Sequence, residues 1–379
     1  MLLVPSSDQS FFQETTARFL KELVPVGEVR RLRDDAAGFD PDYWRRGAEL
    51  GWTSLLVGEA HGGGSISGDG LVDLTLVAHE FGRHAAPGPL VPTNVVAGAL
   101  SAASDGAHTD LIGGLLAGTS IATWCYTEAR PNDALGAIAL DIRVDGDELV
   151  LDGVKRPVES ADQASHLLVT GRTGDGLTQV LVPADTPGVS IRPMKTVDLT
   201  RRFSVVAFDD VRVPAGAVIG QVGKAAEDVE RQLQHALVLV NAEAVGAMQK
   251  GFDITVEWAF DRYSFGRPLA SYQALKHRFA DMKAWLEGSH AVSDDAAAAV
   301  AAGAPNAGTL VSVAKAFIGQ YGAELLQDCV QLHGGIGVTF EHDLHLYLRR
   351  LTVNRAMYGT PADHRARLTD LVQQREETA

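Results

Sequence analysis

The sequence predicts an α+β chain of three domains: a helical N-terminal domain, a middle β-barrel or β-sandwich, and a C-terminal four-helix bundle. Three observations predict it. The 379 residues suit two or three domains at roughly 150 residues each. The hydrophobic period is helical at first, changes to two near residue 119 and returns to helical after Gly223. The last helices are long, and long helices in succession pack antiparallel as a bundle. The boundaries fall near 1–118, 119–223 and 224–379.

In chain order, Phe11, Phe12, Phe19 and Leu20 fall at helical spacings with Asp8 as candidate cap. Residues 71–81 repeat the pattern, and Gly and Pro clusters at 62–64 and 87–92 punctuate it. Residues 142–151 read as two short strands around Asp145-Gly146, a hairpin signal. Residues 167–170, 178–182, 203–208 and 211–213 read as further strands. Helices are expected at 225–260, 272–302 and 309–332, with a final pair around 342–351 and 361–374. The alanine-rich run 294–304 reads as bundle helix plus turn, because Ala is the best helix former. No internal repeat is present.

Composition narrows the function classes. With 46% hydrophobic and 21% charged residues the chain is globular rather than disordered or fibrous. The net charge of -15 repels a phosphate backbone. The densest basic group, Arg30, Arg31 and Arg33, is followed at once by Asp34 and Asp35, so a nucleic-acid partner is not expected. Cys125 and Cys329 lie too far apart for a CxxC metal site and are too few for a disulfide framework, which fits a reducing cytoplasm. Residues 1–10 lack the basic and apolar regions of a signal peptide, and no apolar run approaches the ~20 residues that span a bilayer. A cytoplasmic enzyme without a membrane partner is the expectation.

Two motifs carry chemistry. Asp261-Arg262-Tyr263-Ser264-Phe265-Gly266-Arg267-Pro268-Leu269, followed by Gln273, Lys276 and Ala280-Asp281-Met282, joins one long helix to the next. The second is Gln331-Leu332-His333-Gly334-Gly335-Ile336-Gly337-Val338-Thr339-Phe340-Glu341. Gly334, Gly335 and Gly337 let backbone N–H groups approach a pyrophosphate, and the planar fork of Arg262 pairs with phosphate. Phe265 offers an apolar ring face and Gln273 an amide for a nucleotide's polar groups. Taken singly, the glycines also read as a helix-terminating turn and Arg262 as a surface ion pair. Together, in this order on a bundle, they favour a dinucleotide.

The first motif resembles the R-x-x-F-G-x-P-(I/L)...Q...K...A-D-M segment of the acyl-CoA dehydrogenase family, and the second its Q-x-x-G-G-x-G-(Y/F)-T-x-E. The resemblance extends through Glu49-Leu-Gly-Trp52, Val57-Gly-Glu-Ala-His-Gly-Gly63, Glu80-Phe-Gly-Arg83, and Val211-Arg-Val-Pro214 with Gly220, so it covers essentially the whole chain. It implies FAD as cofactor, an acyl-CoA thioester as substrate and an electron-transfer flavoprotein as acceptor. It also implies an oligomer in which Arg262, Ser264, Phe265, Gln273, Gln331, Gly334 and Gly335 reach the FAD held mainly by a neighbouring chain.

The catalytic half is missing. Family members remove the α-proton of the thioester with a glutamate while the β-hydride leaves for flavin N5, which needs a base ionised near pH 7. The E-G-T segment that usually supplies it matches Tyr358-Gly359-Thr360. A phenol of pKa ~10 is about 0.1% ionised at neutral pH, a handicap of roughly 4 kcal/mol. The alternative position on the first bundle helix, registered on Ala244-Val-Gly246, holds Ala236, followed by Leu237 where Arg is usual. Glu243 lies about two turns or ~10 Å further along, either as a relocated base or as a residue paired with a neighbour. The flavin-contacting T-E-P-x-x-G-S-D is represented by Thr127-Glu-Ala-Arg-Pro-Asn-Asp133, which loses the Gly-Ser pair, and W-I-T by Pro157-Val158-Glu159. No catalytic residue is therefore assigned to this chain.

The reading that follows is one subunit of an α2β2 acyl-CoA dehydrogenase that completes the FAD site of a catalytic, homologous partner acting on a bulky, for example sterol-derived, acyl group. The alternatives are a self-sufficient homo-oligomer using Glu243, a flavin oxidase or monooxygenase on the same fold, and a non-catalytic assembly subunit. Three motifs mislead. His61-Gly62-Gly63-Gly64 mimics a hydrolase oxyanion loop, but no G-x-S-x-G elbow exists. His342 and His345 lack a third metal ligand and read as a solvated helix face. Asp363-His364 reads as a helix start.

Overall fold

The computed structural model describes residues 4–32, 38–103, 106–128, 137–174 and 176–378. The N-terminal region is helical: α1 (Ser7–Leu23), α2 (Val26–Arg31), α3 (Pro41–Glu49), α4 (Gly70–His84), α5 (Leu90–Ala103) and α6 (Thr109–Leu116). The middle region contains β1 (Ala122–Cys125), β2 (Asp141–Asp145), β3 (Glu148–Glu159), β4 (His166–Thr173), β5 (Gly176–Pro183), β6 (Val189–Met194), β7 (Phe203–Pro214) and β8 (Val218–Ile219). The C-terminal region runs α7 (Ala226–Asp261), a hairpin of β9 (Tyr263–Ser264) and β10 (Arg267–Pro268), α8 (Gln273–Ala301), α9 (Ala307–His333), α10 (Leu344–Ala356) and α11 (Pro361–Thr378).

The helix–sheet–bundle order matches the expectation. The strands form one mixed sheet in the order β6-β7-β3-β2-β4-β5-β8, with β1 beside β4. Its inward residues, among them Ile142, Leu149, Leu167, Val180, Val206 and Phe208, make a core separate from the one that runs through both helical regions. Asp145-Gly146 makes the expected turn, with Gly146 at φ +63. Two details differ from the sequence reading. The helix cap is Ser6 rather than Asp8: the Ser6 hydroxyl accepts from Gln9 N–H and the Gln9 side chain accepts from Ser6 N–H, a capping box. The strands expected at 203–208 and 211–213 are one twelve-residue strand, β7, because the turn signal at Asp209-Asp210, with Asp210 left-handed, is taken up as a bulge where the register on β3 shifts and the pairing resumes at Val211.

The bundle is antiparallel. Phe252 of α7 meets Phe279 of α8, and α8 meets α9 through Arg278–Asp328 and the Trp285–Tyr321 stack. α7 is buried nearly all round over its central turns, including Ala236 to Met248. Against that stretch α4 crosses backbone to backbone. A Cβ on Gly82 would lie 1.9 Å from the Glu243 carbonyl oxygen, and one on Gly246 would lie 2.0 Å from that of His79. The glycines of Glu80-Phe-Gly-Arg83 and Ala244-Val-Gly246 are thus a paired close approach that brings the N-terminal domain onto the bundle. Among the described residues, no helix is long and apolar enough to cross a membrane.

Where the three regions meet, five buried charges hold them together. The Arg350 guanidinium donates to Asp198 Oδ2 at 2.6 Å and Glu243 Oε1 at 2.6 Å, to the carbonyls of Ala85 and Ala86 at 3.2 and 3.0 Å, and to the Thr200 hydroxyl. Arg201 forms a two-bond fork to Glu159 at 2.7 and 2.6 Å and donates to Glu243 Oε2 at 3.0 Å and to the Asn354 side chain. Each guanidinium spends its donors on all sides, which is what makes a buried charge tolerable. Burial pushes the Asp198 carboxyl up, but Arg350, the Thr200 amide and Arg201 together outweigh burial and hold it below the usual range. Replacing Arg350 by Met leaves Asp198 and Glu243 buried without their common partner. The expected cost, read by urea denaturation, is about 3–5 kcal/mol, and a loss below ~1 kcal/mol would mean that the cluster carries no such weight.

Candidate functional site

The sequence-predicted residues separate into two places. At the first, the C-terminal ends of β1 and β3 face the loop between α10 and α11. Tyr358 stands here, at φ +55, with 8% of its surface exposed. Its ring stacks on Trp124 at 5.9 Å, and Trp124 stacks on Tyr126 at 4.5 Å. Burial, with the Glu159 carboxylate nearby, raises the Tyr358 phenol well above its ordinary value, so it is further from serving as a base than the free side chain. Glu159, at the Thr position of W-I-T, is clamped by Arg201, and burial keeps its carboxyl above the ordinary range despite that partner.

Little space remains here. The cavity between Trp124, Thr127, Pro157, Glu159, Tyr358 and Gly359 measures about 70 Å³, against roughly 300–1,000 Å³ for small-molecule sites. The gap beside it, bounded by Phe81, Leu90, Glu159, Arg201 and Glu243, is about 10 Å³. The space enclosed by these side chains is smaller than a flavin ring and a thioester. Ala236 and Leu237 are fully buried. Glu243 is 5% exposed, and both its oxygens already accept hydrogen bonds from Arg350, Arg201 and Asn354. Of the two readings of Glu243, the structure shows the paired one. Glu128, of the Thr127-Glu128 pair read as a flavin-motif remnant, binds the buried Lys155 at 2.7 Å and the amides of Ala139 and Leu140. The Gly-Ser position of that motif lies outside the described residues.

The second place is the far end of the bundle. Arg262 caps α7, Ser264 and Phe265 sit on the β9–β10 hairpin, Gln273 starts α8, and Gln331, Gly334 and Gly335 end α9. The antiparallel packing puts all seven at one end. Trp258, one turn before Arg262, stacks on His333 at 5.2 Å, so the arginine and the glycine turn share one support. Arg262, Phe265, Gln273, Gln331, Gly334 and Gly335 are exposed, and Ser264 is half-buried. Phe265 is 97% exposed at φ +51, on a hairpin held by Tyr272, whose hydroxyl donates to the Ser264 carbonyl at 2.6 Å. No atom lies within 4 Å of where a Cβ would stand on Gly334 or Gly335. A guanidinium fork beside an open glycine turn fits a diphosphate.

Residues 6–118 match the acyl-CoA dehydrogenase N-terminal domain and residues 226–371 its C-terminal domain. The chain belongs to the acyl-CoA dehydrogenase family. It is 30% identical to "Acyl-CoA dehydrogenase IpdE2" of Mycobacterium tuberculosis over 97% of this chain and 98% of that one. Among solved structures, a variant of the Tcur3481-Tcur3483 steroid ACAD superposes with a TM-score of 0.89 at 28% identity, covering 97% of this chain and 98% of the other. A glutaryl-CoA dehydrogenase from Mycobacterium smegmatis in complex with FADH2 shares the fold, with a TM-score of 0.87 at 20% identity over 97% and 95% of the two chains. FAD is the cofactor of the family.

Against this acyl-CoA dehydrogenase frame, sequence reasoning missed four residues: Arg201, Arg350, Asp198 and Asn354. The signal was present, since a charged residue within an apolar helix face demands a partner, but the partners lie far apart in sequence. His342 and His345 are not a solvated face. His345 is 9% exposed and packs on Phe340, and His342 lies 4.4 Å from the His333 ring. Among the described residues, no group of three His, Cys, Asp or Glu could hold a metal.

His364 supports the Tyr358 loop. One ring nitrogen, Nε2, lies 3.0 Å from the Tyr358 carbonyl oxygen and therefore carries the hydrogen, and α11 begins at the adjoining Pro361. Burial lowers the His364 pKa to about 4, against ~6.5 when unfolded. As pH falls through that interval the unfolded chain takes up the proton first, so native stability drops between pH ~6.5 and ~4 and this group's contribution is flat below. The difference is on the order of 3 kcal/mol. In denaturation curves stepped from pH 7 to 4, His364→Gln is expected to shallow the acid slope relative to the parent; parallel slopes would refute this.

Proposed function

We propose that this chain is the FAD-completing, non-catalytic subunit of a cytoplasmic, hetero-oligomeric acyl-CoA dehydrogenase, α2β2 in composition. The observation that carries the reading is the contrast between its two places. The residues that would face its own flavin ring and thioester are packed into one another, whereas those that would reach a neighbour's FAD stand open and exposed. The seven residues Arg262, Ser264, Phe265, Gln273, Gln331, Gly334 and Gly335 form the proposed contribution. Arg262 and the turn at Gly334 and Gly335 bind the diphosphate, Phe265 covers an apolar face, and Gln273 and Gln331 hydrogen-bond polar groups.

The reaction is α,β-desaturation of an acyl-CoA thioester, with the α-proton taken by a glutamate of the homologous partner. FAD, when bound, accepts the β-hydride, and an electron-transfer flavoprotein takes the electrons onward. The likeness to a steroid ACAD named for two components supports both a two-chain assembly and a bulky, sterol-derived acyl group. A self-sufficient enzyme using Glu243 finds no support in a carboxylate whose two oxygens are already engaged.

Flavin absorbance per chain, with bleaching by acyl-CoA, tests this reading. The chain alone is expected to purify without flavin, and the complex with a homologue carrying the E-G-T glutamate to hold one FAD per pair of chains and to bleach. Arg262→Ala in the complex should lower flavin retention at least tenfold, as expected for a lost charge-assisted phosphate contact. A fully flavinylated, active chain without partner would sink the proposal. Flavin absent from both preparations would leave the assembly role, and rapid reoxidation by oxygen without enoyl product would point to an oxidase.

A further inference from the structure

Arg30 belongs to the one basic group that stood out in the sequence, and nothing in the flavin chemistry uses it. Its guanidinium lies against the loop that follows the glycine turn, 310 residues away in the chain. One arm donates to the Phe340 carbonyl, the other to the Glu341 carbonyl at 3.0 Å, and Nε and Nη2 converge on Asp343 Oδ1 at 3.1 and 2.7 Å. The short helix α2, with six residues, carries this side chain across: Arg31 closes on Glu28 of the same helix, and Arg30 leaves it for the bundle.

The loop needs an external support. In the 3-10 turn from Gly334 to Val338 only Gly337 is buried, and Val338 and Phe340 are 77% and 45% exposed. Apolar burial therefore does not set its course. From inside the bundle, the Trp258–His333–His342 stack fixes the loop's start, with His333 Nδ1 donating to the Cys329 carbonyl at 2.7 Å. Its other end is held by Arg30, while Arg349 lies over the Phe340 ring. A guanidinium suits this place because its planar fork reaches two carbonyls and a carboxylate at once, which an ammonium cannot do.

We infer that Arg30 is a positioning residue for the FAD-completing turn: through this side chain the N-terminal domain sets Gly334 and Gly335 where a partner's FAD diphosphate meets them. The inference rests on the FAD-completing role proposed above. Two readouts test it, with Arg262→Ala as the reference. Hydrogen exchange of the isolated chain needs no cofactor. Arg30→Ala is expected to speed exchange of amides 336–343 roughly tenfold, with other amides and the unfolding midpoint unchanged. In the flavinylated complex, the same variant should speed FAD dissociation roughly tenfold, and Arg30→Lys should not rescue it. If Arg262→Ala speeds FAD loss and Arg30→Ala does not, the Arg30 inference alone falls. If neither does, the FAD-completing role falls and takes this inference with it. Full rescue by Arg30→Lys would overturn the fork argument, and a lowered midpoint with exchange raised throughout the chain would reduce Arg30 to a general structural contact.

Discussion

Arg350 is the side chain on which the arrangement of this molecule depends. From α10 in the bundle it reaches the carbonyls that end the N-terminal domain's α4, the Asp198–Thr200 loop of the sheet domain and Glu243 on α7. A guanidinium that is 1% exposed survives only if its charge and its donors are met, and here three domains must be in register to meet them. The burial cost of the ion thus enforces a single mutual orientation of the domains. The Gly82–Gly246 crossing works in the same direction, because two backbones at van der Waals distance permit little sliding.

The same charges fill the seam between sheet and bundle. In a flavin-dependent dehydrogenase, the seam between sheet and bundle must be hollow enough for a ring system and a thioester. Here Glu159, Arg201 and Glu243 occupy that seam, and Tyr358 lies flat on Trp124 at its rim. Packing that removes a cavity adds stabilising contacts, so these side chains contribute to holding sheet and bundle together. The far end of the bundle is open instead. Its glycines stand open, and the apolar residues Phe260, Tyr263, Phe265 and Val338 there are exposed.

Much of this was legible in the sequence. The change of hydrophobic period located the sheet between two helical regions, because period depends only on local geometry. The motifs around Arg262 and Gly334 were recognisable because each is built from neighbours in the chain. That Tyr358 stands before Gly359-Thr360 was equally plain, since it is a statement about one position. Less legible were the first helix cap, where a capping box with Gln9 chose Ser6 over Asp8, and His342 and His345, whose helix spacing suggested solvent but whose rings face His333 and Phe340.

The sequence by itself thus determined the order of helices, sheet and bundle and the family, both of which follow from local pattern. Only the tertiary structure decided what Glu243 and Arg30 do. Glu243 could be a base or a paired charge until Arg201 and Arg350 were found on its two oxygens. Arg30 could be a surface charge until the loop at Phe340 closed on it. Both outcomes depend on side chains that meet across 42 to 313 residues of chain. No period or spacing along the chain encodes such a meeting, because the partners are brought together only when the three domains have packed.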